Sequence, residues 1–339
     1  MEVEETVFQK ESRTLRPLCR LLGIRADGAY SKGLQEAVVD FAAHESFEKA
    51  AQGLSRHHPV KLCAGTVRKI TLMHGRRMCA EQEQSGGVGV VAHEGPAHIV
   101  AEIDGTMLPV VSFEKGRGDR RKRRQCEWTE AKLCAAQAMG SASIRYGCTL
   151  GGAEPAGNIW AHCVSEQGWA KNTHIHVVSD GAEWIARQTR EQFKESATQL
   201  IDFYHVSEYL AAASETLPEC RRKQWRKLQQ RRLLRGDAPK VIKALRLHSE
   251  AEALAQEQAP MRHALQYMEK RAGCFDYPKA QKEGLPIGSG LIEGGHRHVL
   301  QKRLKISGAW WLRQNAAAMA ALSVVMENND WLSYWKSVA

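Results

Sequence analysis

"HIVAEIDGTMLPVVSF", residues His98–Phe113, is where the chain changes texture. Before it, apolar residues recur at helical spacing; within it, a run of apolar and β-branched residues reads as a strand. One acid, Asp104, interrupts the run and is followed at once by Gly105. Further on come "CEWTEAKLCAAQA", "ASIRYGCTLGG", "THIHVVSDGAEW" and "TQLIDFYHV", with helical patterns at about Gly157–Gly168 and Ala182–Glu195. Three strands, then helix, strand, helix, strand is the order of a mixed α/β sheet.

On the amino-terminal side, Gly33–Gly75 reads as three short helices, with Ser46 and Thr66 placed as N-caps. The second and third have the outline of a helix-turn-helix, and the third carries Arg68, Lys69, Arg76 and Arg77 for a phosphate backbone or base edges. A bundle that touches no DNA would have the same periodicity. On the carboxy-terminal side, Ser207–Gln281 is helical in pattern and rich in Arg, Gln and Leu, which reads as an insertion before "GSGLIEGG". The expected division is a helix-turn-helix domain over 1–84, the first part of a sheet core over 85–206, a helical insertion over 207–283, and the rest of the core over 284–339.

Lys and Arg number 48 against 38 Asp and Glu, a net charge of +10, and the excess is clustered in "RGDRRKRR" (Arg117–Arg124) and "RRKQWRKLQQRRLLR" (Arg221–Arg235). Clustered cations point to a polyphosphate partner, and Arg221, Arg222 and Arg231 are the candidate contacts in the second cluster. A solvated helix face would carry the same stripe. Nine cysteines stand singly, without a C-x-x-C pair, as reduced cytosolic thiols do. The longest nearly apolar stretch, Ala316–Met326, is too short for a bilayer, so neither secretion nor a membrane partner is expected.

Asp180, in "VVSDGAEW", repeats the pattern of Asp104: an acid at the end of an apolar strand, then glycine. Each alone is also a common turn pair. A third acid, Glu293, lies in "GSGLIEGGHRHVLQKRLK" (Gly288–Lys305), which lacks the residues of a nucleotide-binding loop. Phosphodiester cleavage by two-metal catalysis needs two or three carboxylates converging on a pair of Mg²⁺ (or Mn²⁺) ions. An RNase H-like sheet supplies them from its first strand, its fourth strand and a late helix, the places of Asp104, Asp180 and Glu293. On an α-helix starting near Leu291, Glu293, Arg297, Leu300 and Leu304 share one face, while Lys302, Arg303 and Lys305 fall off it toward DNA phosphates. The plainer alternative is an i,i+4 bridge from Glu293 to Arg297.

"IDGTMLP", "EWTEAKLC", "VVSDGAEWI", "LIDFYHVSEYL", "GSGLIEGGHRHVLQKRLK" and "AWWLRQNAAAMAALSVVMENNDWLSYW" together resemble the DDE transposases of bacterial insertion sequences of the ISKra type. The resemblance implies an RNase H-like domain with Asp104, Asp180 and Glu293 as the metal-binding triad. It also implies a helical insertion after a fifth strand ending in a C/D-x-x-H motif, here Asp202 to His205. Asp202 and His205 then either organise the site or cap and pack the next helix. His174 and His176, alternating on the fourth strand, are read as strand packing rather than zinc ligands. Trp225 is a stacking or core residue, and Trp310, Trp311, Trp331 and Trp335 are expected to pack the carboxy terminus.

The expectation is therefore a bacterial, cytoplasmic, nucleoid-associated transposase. It would bind terminal repeats as a homo-oligomer on double-stranded DNA and cut and join strands with two Mg²⁺ ions. The alternatives are an inactive DNA-binding regulator derived from such an element, and a metal-dependent nuclease that cuts without joining.

Overall fold

A computed structural model describes residues 8–10, 13–15, 17, 30–84, 92–114 and 116–338. The chain divides into two compact units: Met1–Gln84, Met107–Thr129 and Arg297–Ala339 form one, Ser85–Thr106 and Glu130–His296 the other. This differs from the expected four-segment division, because the amino-terminal helices share a unit with the carboxy-terminal ones.

The second unit is mixed α/β. Its strands are β1 (His98–Phe113) as far as Thr106, β2 (Arg124–Ala138) from Glu130 onward, β3 (Arg145–Thr149), β4 (His174–Ser179) and β5 (Ala197–Ile201), in the order β3-β2-β1-β4-β5. The pairs β1–β4 and β4–β5 are parallel and β2–β3 is antiparallel. Helices α4 (Ala153–Glu166) and α5 (Glu183–Phe193) fall between strands as the spacing predicts. Alternation assigns the two faces. Ile99, Ala101, Ile103, Ile175 and Val177 share a core with Trp160, Ile159 and Phe193. On the other face His176 donates from Nε2 to the carbonyl of Pro286 (2.8 Å), and Glu102 meets the backbone of Ile292. His176 thus serves strand packing, and burial holds its imidazole below the usual range.

After β5 come α6 (Phe203–Ser214), α7 (Glu219–Leu234), α8 (Ala238–Leu247), α9 (Pro260–Lys270) and α10 (Tyr277–Lys282). They pack around Leu210, Leu233, Leu245, Met261, Met268 and Tyr277, in a core that also takes in Leu200 and Ile201 of β5 and against which Trp225 packs half-buried. Then α11 (Gly290–Gly295) gives way to a π-helical stretch, His296–Gln301, and a short α12 (Lys302–Leu304). A regular α-helix from Leu291 is therefore not what forms. The extra residue per turn breaks the expected stripe, and Arg303 becomes a buried residue.

In the first unit, α1 (Lys32–His44), α2 (Phe47–His57) and α3 (Ala64–Gln84) match the three helical patterns, but α3 runs 21 residues. Ser46 caps α2 by accepting from the Lys49 amide, whereas Thr66 lies inside α3 and is not its N-cap. The reason for α3's length is its partner, α13 (Arg313–Glu327), followed by α14 (Trp331–Ser337). Gly75 lets the two approach so closely that a Cβ there would stand 2.5 Å from the Ala318 carbonyl oxygen. Arg76 bonds Asn315, Arg77 bonds Glu81 and the Ser337 carbonyl, and His74 joins Tyr334 and Gln35. Two of the four cations expected on a recognition helix are thus spent on intramolecular bonds; Arg68 and Lys69 stay exposed. Among the described residues no helix is long and apolar enough to cross a membrane.

Gly75→Ala should destabilise the chain by about 1–3 kcal/mol through overpacking. Gly33→Ala, in α1 with open space around it, should instead gain up to about 1 kcal/mol. Denaturant midpoints of the two variants test the pair, and equal shifts would refute the close-approach account.

Candidate functional site

The parallel register fixes where the acids fall. Glu102 pairs with Val178 and Ser179 with Ile201, so continuing one or two residues sets Asp104, Asp180 and Asp202 level across β1, β4 and β5. The carboxyl ends of parallel strands leave a crevice outside the sheet, the usual place for ligands in open α/β folds. A cavity of about 210 Å³ lies there, lined by Asp104, Asp180, Asp202, His205, Glu208, Ser289 and Glu293, among others.

Each acid is held differently. Asp104 accepts from the Gly105 amide (2.7 Å) and, through Oδ2, from His296 Nε2 (3.1 Å). Asp180 accepts from the Ala182 amide through Oδ1 (2.8 Å), an Asx turn that aims its other oxygen away from the backbone. Two residues of the helical insertion grip that turn: the Tyr267 hydroxyl donates to the Asp180 carbonyl (2.6 Å) and Arg271 Nε to the Gly181 carbonyl (2.8 Å). Gly181 has φ +78°, and a Cβ there would collide with Arg271, so glycine is required.

Asp202 is 4 % exposed and fully engaged. Its Oδ1 accepts from the amides of Tyr204 and His205, capping α6, and its Oδ2 from the amide and hydroxyl of Ser289. It works as a clamp between β5 and the segment before α11. His205 sits edge-on to Tyr209 and Tyr267, with Nδ1 3.8 Å from Glu208. Glu293 is exposed at the cavity, on a helix of six residues.

Sequence reasoning passed over Glu102, His296, Ser289, Tyr267 and Arg271. Glu102 is the sharpest case: 1 % exposed, it accepts from the Ile292 amide through Oε2 (2.8 Å), and its Oε1 is buried without a partner among the described residues. Burial, reinforced by Asp202 and Glu293, pushes its carboxyl up to about 8 against the pull of the Ile292 and Leu291 amides. At neutral pH it is largely protonated, an uncharged acceptor at the start of α11. The one available signal was an acid alternating in phase with inward-facing Val100.

The donor set of the cavity is oxygen-rich and anionic, as a hard divalent cation requires. Among the described residues no three His, Cys, Asp or Glu side chains converge as a ready-made metal site. The fit to Mg²⁺ rests on its habit of keeping several waters, so that one or two direct carboxylates suffice.

The candidate DNA contacts scatter. Arg221 and Arg231 are exposed on α7, Arg231 lying along its own helix with Nε toward the Lys227 carbonyl. Arg222 bonds the Leu217 carbonyl and pairs with Glu215 (2.5 Å). In the first unit Arg68, Lys69, Arg297 and Lys302 are exposed. Arg303, expected to meet phosphates at the surface, is 5 % exposed: its Nε faces the Ala42 carbonyl (3.3 Å) and its guanidinium lies against Phe47 and Trp311.

The chain belongs to UPF0236, an uncharacterised protein family whose model matches residues 9–333. Two UPF0236 proteins of Caldanaerobacter subterraneus subsp. tengcongensis are similar to it. One is 24% identical over 305 residues, covering 88% of this chain and 59% of the relative. Another is 22% identical over 309 residues, covering 88% and 56%. The chain therefore spans under three-fifths of the length of these relatives, which occur in multiple copies in that bacterium. A Drosophila P element transposase strand transfer complex matches over 93% of this chain and 83% of that one, at 8% identity and a TM-score of 0.32.

Glu102→Gln keeps an acceptor for the Ile292 amide and should leave stability within about 1 kcal/mol of wild type, while Glu102→Ala strands that amide and should cost about 1–3 kcal/mol. Chemical denaturation at neutral pH separates them. Equal losses would show that the bond to Ile292 does not matter.

Proposed function

We propose that this UPF0236 member is a transposase with an RNase H-like catalytic domain, which binds the terminal repeats of an insertion sequence and cleaves and joins DNA strands. The observation that carries this reading is the register: it sets Asp104, just past the paired stretch of β1 and β4 and inside a β1 that runs on to Phe113, level with Asp180 at the end of β4, on the same cavity as Glu293. The sheet order β3-β2-β1-β4-β5, with only β2–β3 antiparallel among the registered pairs, supports the RNase H-like assignment. Multiple copies of the relatives in one bacterium support a mobile element.

In this reading Asp104, Asp180 and Glu293 hold two Mg²⁺ (or Mn²⁺) ions. Bound there, the pair supplies an activated attacking oxygen and a stabilised leaving oxygen for in-line phosphodiester displacement. The protein's part is placement. Ala182 and Gly105 fix the rotamers of Asp180 and Asp104 through their amides, and His296 holds the second oxygen of Asp104. Asp202 clamps Ser289, and Glu102 receives the Ile292 amide, so the backbone leading to Glu293 is tied at two points. The acids in the cavity repel DNA by themselves, and cations elsewhere offset this: Arg221 and Arg231 on α7, with Arg68, Lys69 and Lys302, hold the phosphate backbone. The protein works as a homo-oligomer on DNA at the nucleoid.

Incubation with labelled element ends, Mg²⁺ and a target plasmid should yield cleaved and joined products. Glu293→Gln, Asp104→Asn and Asp180→Asn should each lower cleavage at least about 100-fold while DNA binding persists, and a double variant should be little worse than a single one. Near-normal cleavage by folded Glu293→Gln at saturating Mg²⁺ would remove Glu293 from the site.

Replacing Arg221 and Arg231 together by Ala should flatten the slope of log affinity against log salt by up to about 1.8, roughly 0.9 for each phosphate that an arginine no longer neutralises. An unchanged slope would make α7 a merely solvated face.

A further inference from the structure

The first unit holds a cavity of about 520 Å³ that the proposed chemistry does not use, lined by Phe47, Arg68, Arg124, Arg303, Trp310 and Trp311 among others. Its size is that of an ordinary small-ligand site. Its lining carries three guanidinium groups and no carboxylate. Arg303, 5 % exposed, stays cationic: burial lowers it only to about 10, partly countered by the charge of Glu45, and no carboxylate lies within salt-bridge distance of it among the described residues. Burying a cation without a direct ion pair costs several kcal/mol, partly offset by the faces of Phe47 (5.0 Å) and Trp311 (4.9 Å).

Two further features point to a flat anionic ligand. Trp311 is 7 % exposed, and its indole N–H is buried with no hydrogen-bond partner among the described residues, a donor awaiting an acceptor. Trp310 was expected to pack the carboxy terminus, yet it is 46 % exposed and carries the Arg124 guanidinium 4.5 Å from its ring centroid. An exposed indole stacked with arginine at the mouth of a cationic pocket is a platform for a nucleobase, and arginines around it suit the base's own phosphate.

We propose that this cavity binds one unpaired nucleotide of DNA, its base on the Trp310–Arg124 platform and its phosphate among Arg68 and Arg303. The site deepens the DNA-processing reading and rests on it for the identity of the polymer. Duplex DNA keeps its bases stacked inside, so the pocket gives the chain a preference for strands that are frayed, nicked or single.

The test uses the full chain and a short single-stranded oligonucleotide carrying one 5-iodouracil, beside a duplex of the same length. Irradiation should join the base to Trp310 or Trp311, located by peptide mass spectrometry. Trp310→Ala and Arg124→Ala, both at exposed positions, should weaken single-strand binding about 5- to 100-fold, from about 1–3 kcal/mol per stacked base, and duplex binding several-fold less. Trp310→Phe should restore part of the loss. Crosslinks confined to other segments, or equal losses on single strand and duplex, would overturn the proposal. Glu293→Gln should crosslink as wild type does. Failure of cleavage with the crosslink intact would sink only the catalytic reading, and cleavage without the crosslink would sink only this one.

Discussion

Three adjacent parallel strands in fixed register are the constraint on which the site depends. A shift of one residue between β1 and β4 would turn Asp104 to the other face and take it out of the cavity. What fixes the register is the packing of Ile99, Ala101 and Ile103 with Ile175 and Val177 against Trp160 on one side, and the bonds of His176 and Glu102 to the Pro286–Ile292 segment on the other. A polar bond inside an apolar strand is a stringent ruler, because the unpaired alternative costs more than the bond returns. Glu102 is such a ruler. Its burial also pushes its carboxyl well above the usual carboxylate range, up to about 8.

Much of this arrangement is legible in the sequence. Apolar and β-branched runs mark the five strands, and Asp-Gly pairs mark two of the acids, because both signals are local; Asp180 does follow the end of its strand, whereas β1 runs through Asp104 to Phe113 instead of ending there. The helical character of 207–281 is equally plain, although Phe203–Val206, read with the strand before them, already belong to α6. What the sequence hides is whatever depends on a partner distant in the chain. The length of α3 follows from α13, far along the chain, and the glycine that lets them touch reads in isolation as a weak spot in a helix. Arg303 looks like a surface cation until the π-helical stretch before it is known, since one extra residue per turn moves every later side chain. Trp310 and Trp311 are adjacent and identical in type, yet one is exposed and the other buried, a difference no periodicity distinguishes. Glu102 is hidden for the same reason: an acid beside Asp104 in an apolar strand carries no sign of which backbone amide it will meet.

The candidate site therefore has two layers of different origin. Asp104 and Asp180 come from β1 and the end of β4 and are set by the sheet, while Glu293 comes from α11. Their supports come from elsewhere: His296 and Ser289 from beside the last acid-bearing helix, Tyr267 and Arg271 from the insertion. The neighbouring amides of Gly105 and Ala182 orient one oxygen each of Asp104 and Asp180 locally, but the long-range supports complete the site only once the chain after β5 has folded back.

The grip of Tyr267 and Arg271 on the Asp180–Gly181 turn has an evolutionary corollary. The insertion looks like an accessory, being wholly helical, although its core already reaches Leu200 and Ile201 of β5. Yet it lends a hydroxyl and a guanidinium to two carbonyls directly beside an acid of the cavity, and glycine at 181 leaves room for nothing else. Any foreign helical module grafted between β5 and α11 must bring its own pair of donors to those carbonyls, so the lineage can trade the module's surface freely while the inner face of α9 stays captive.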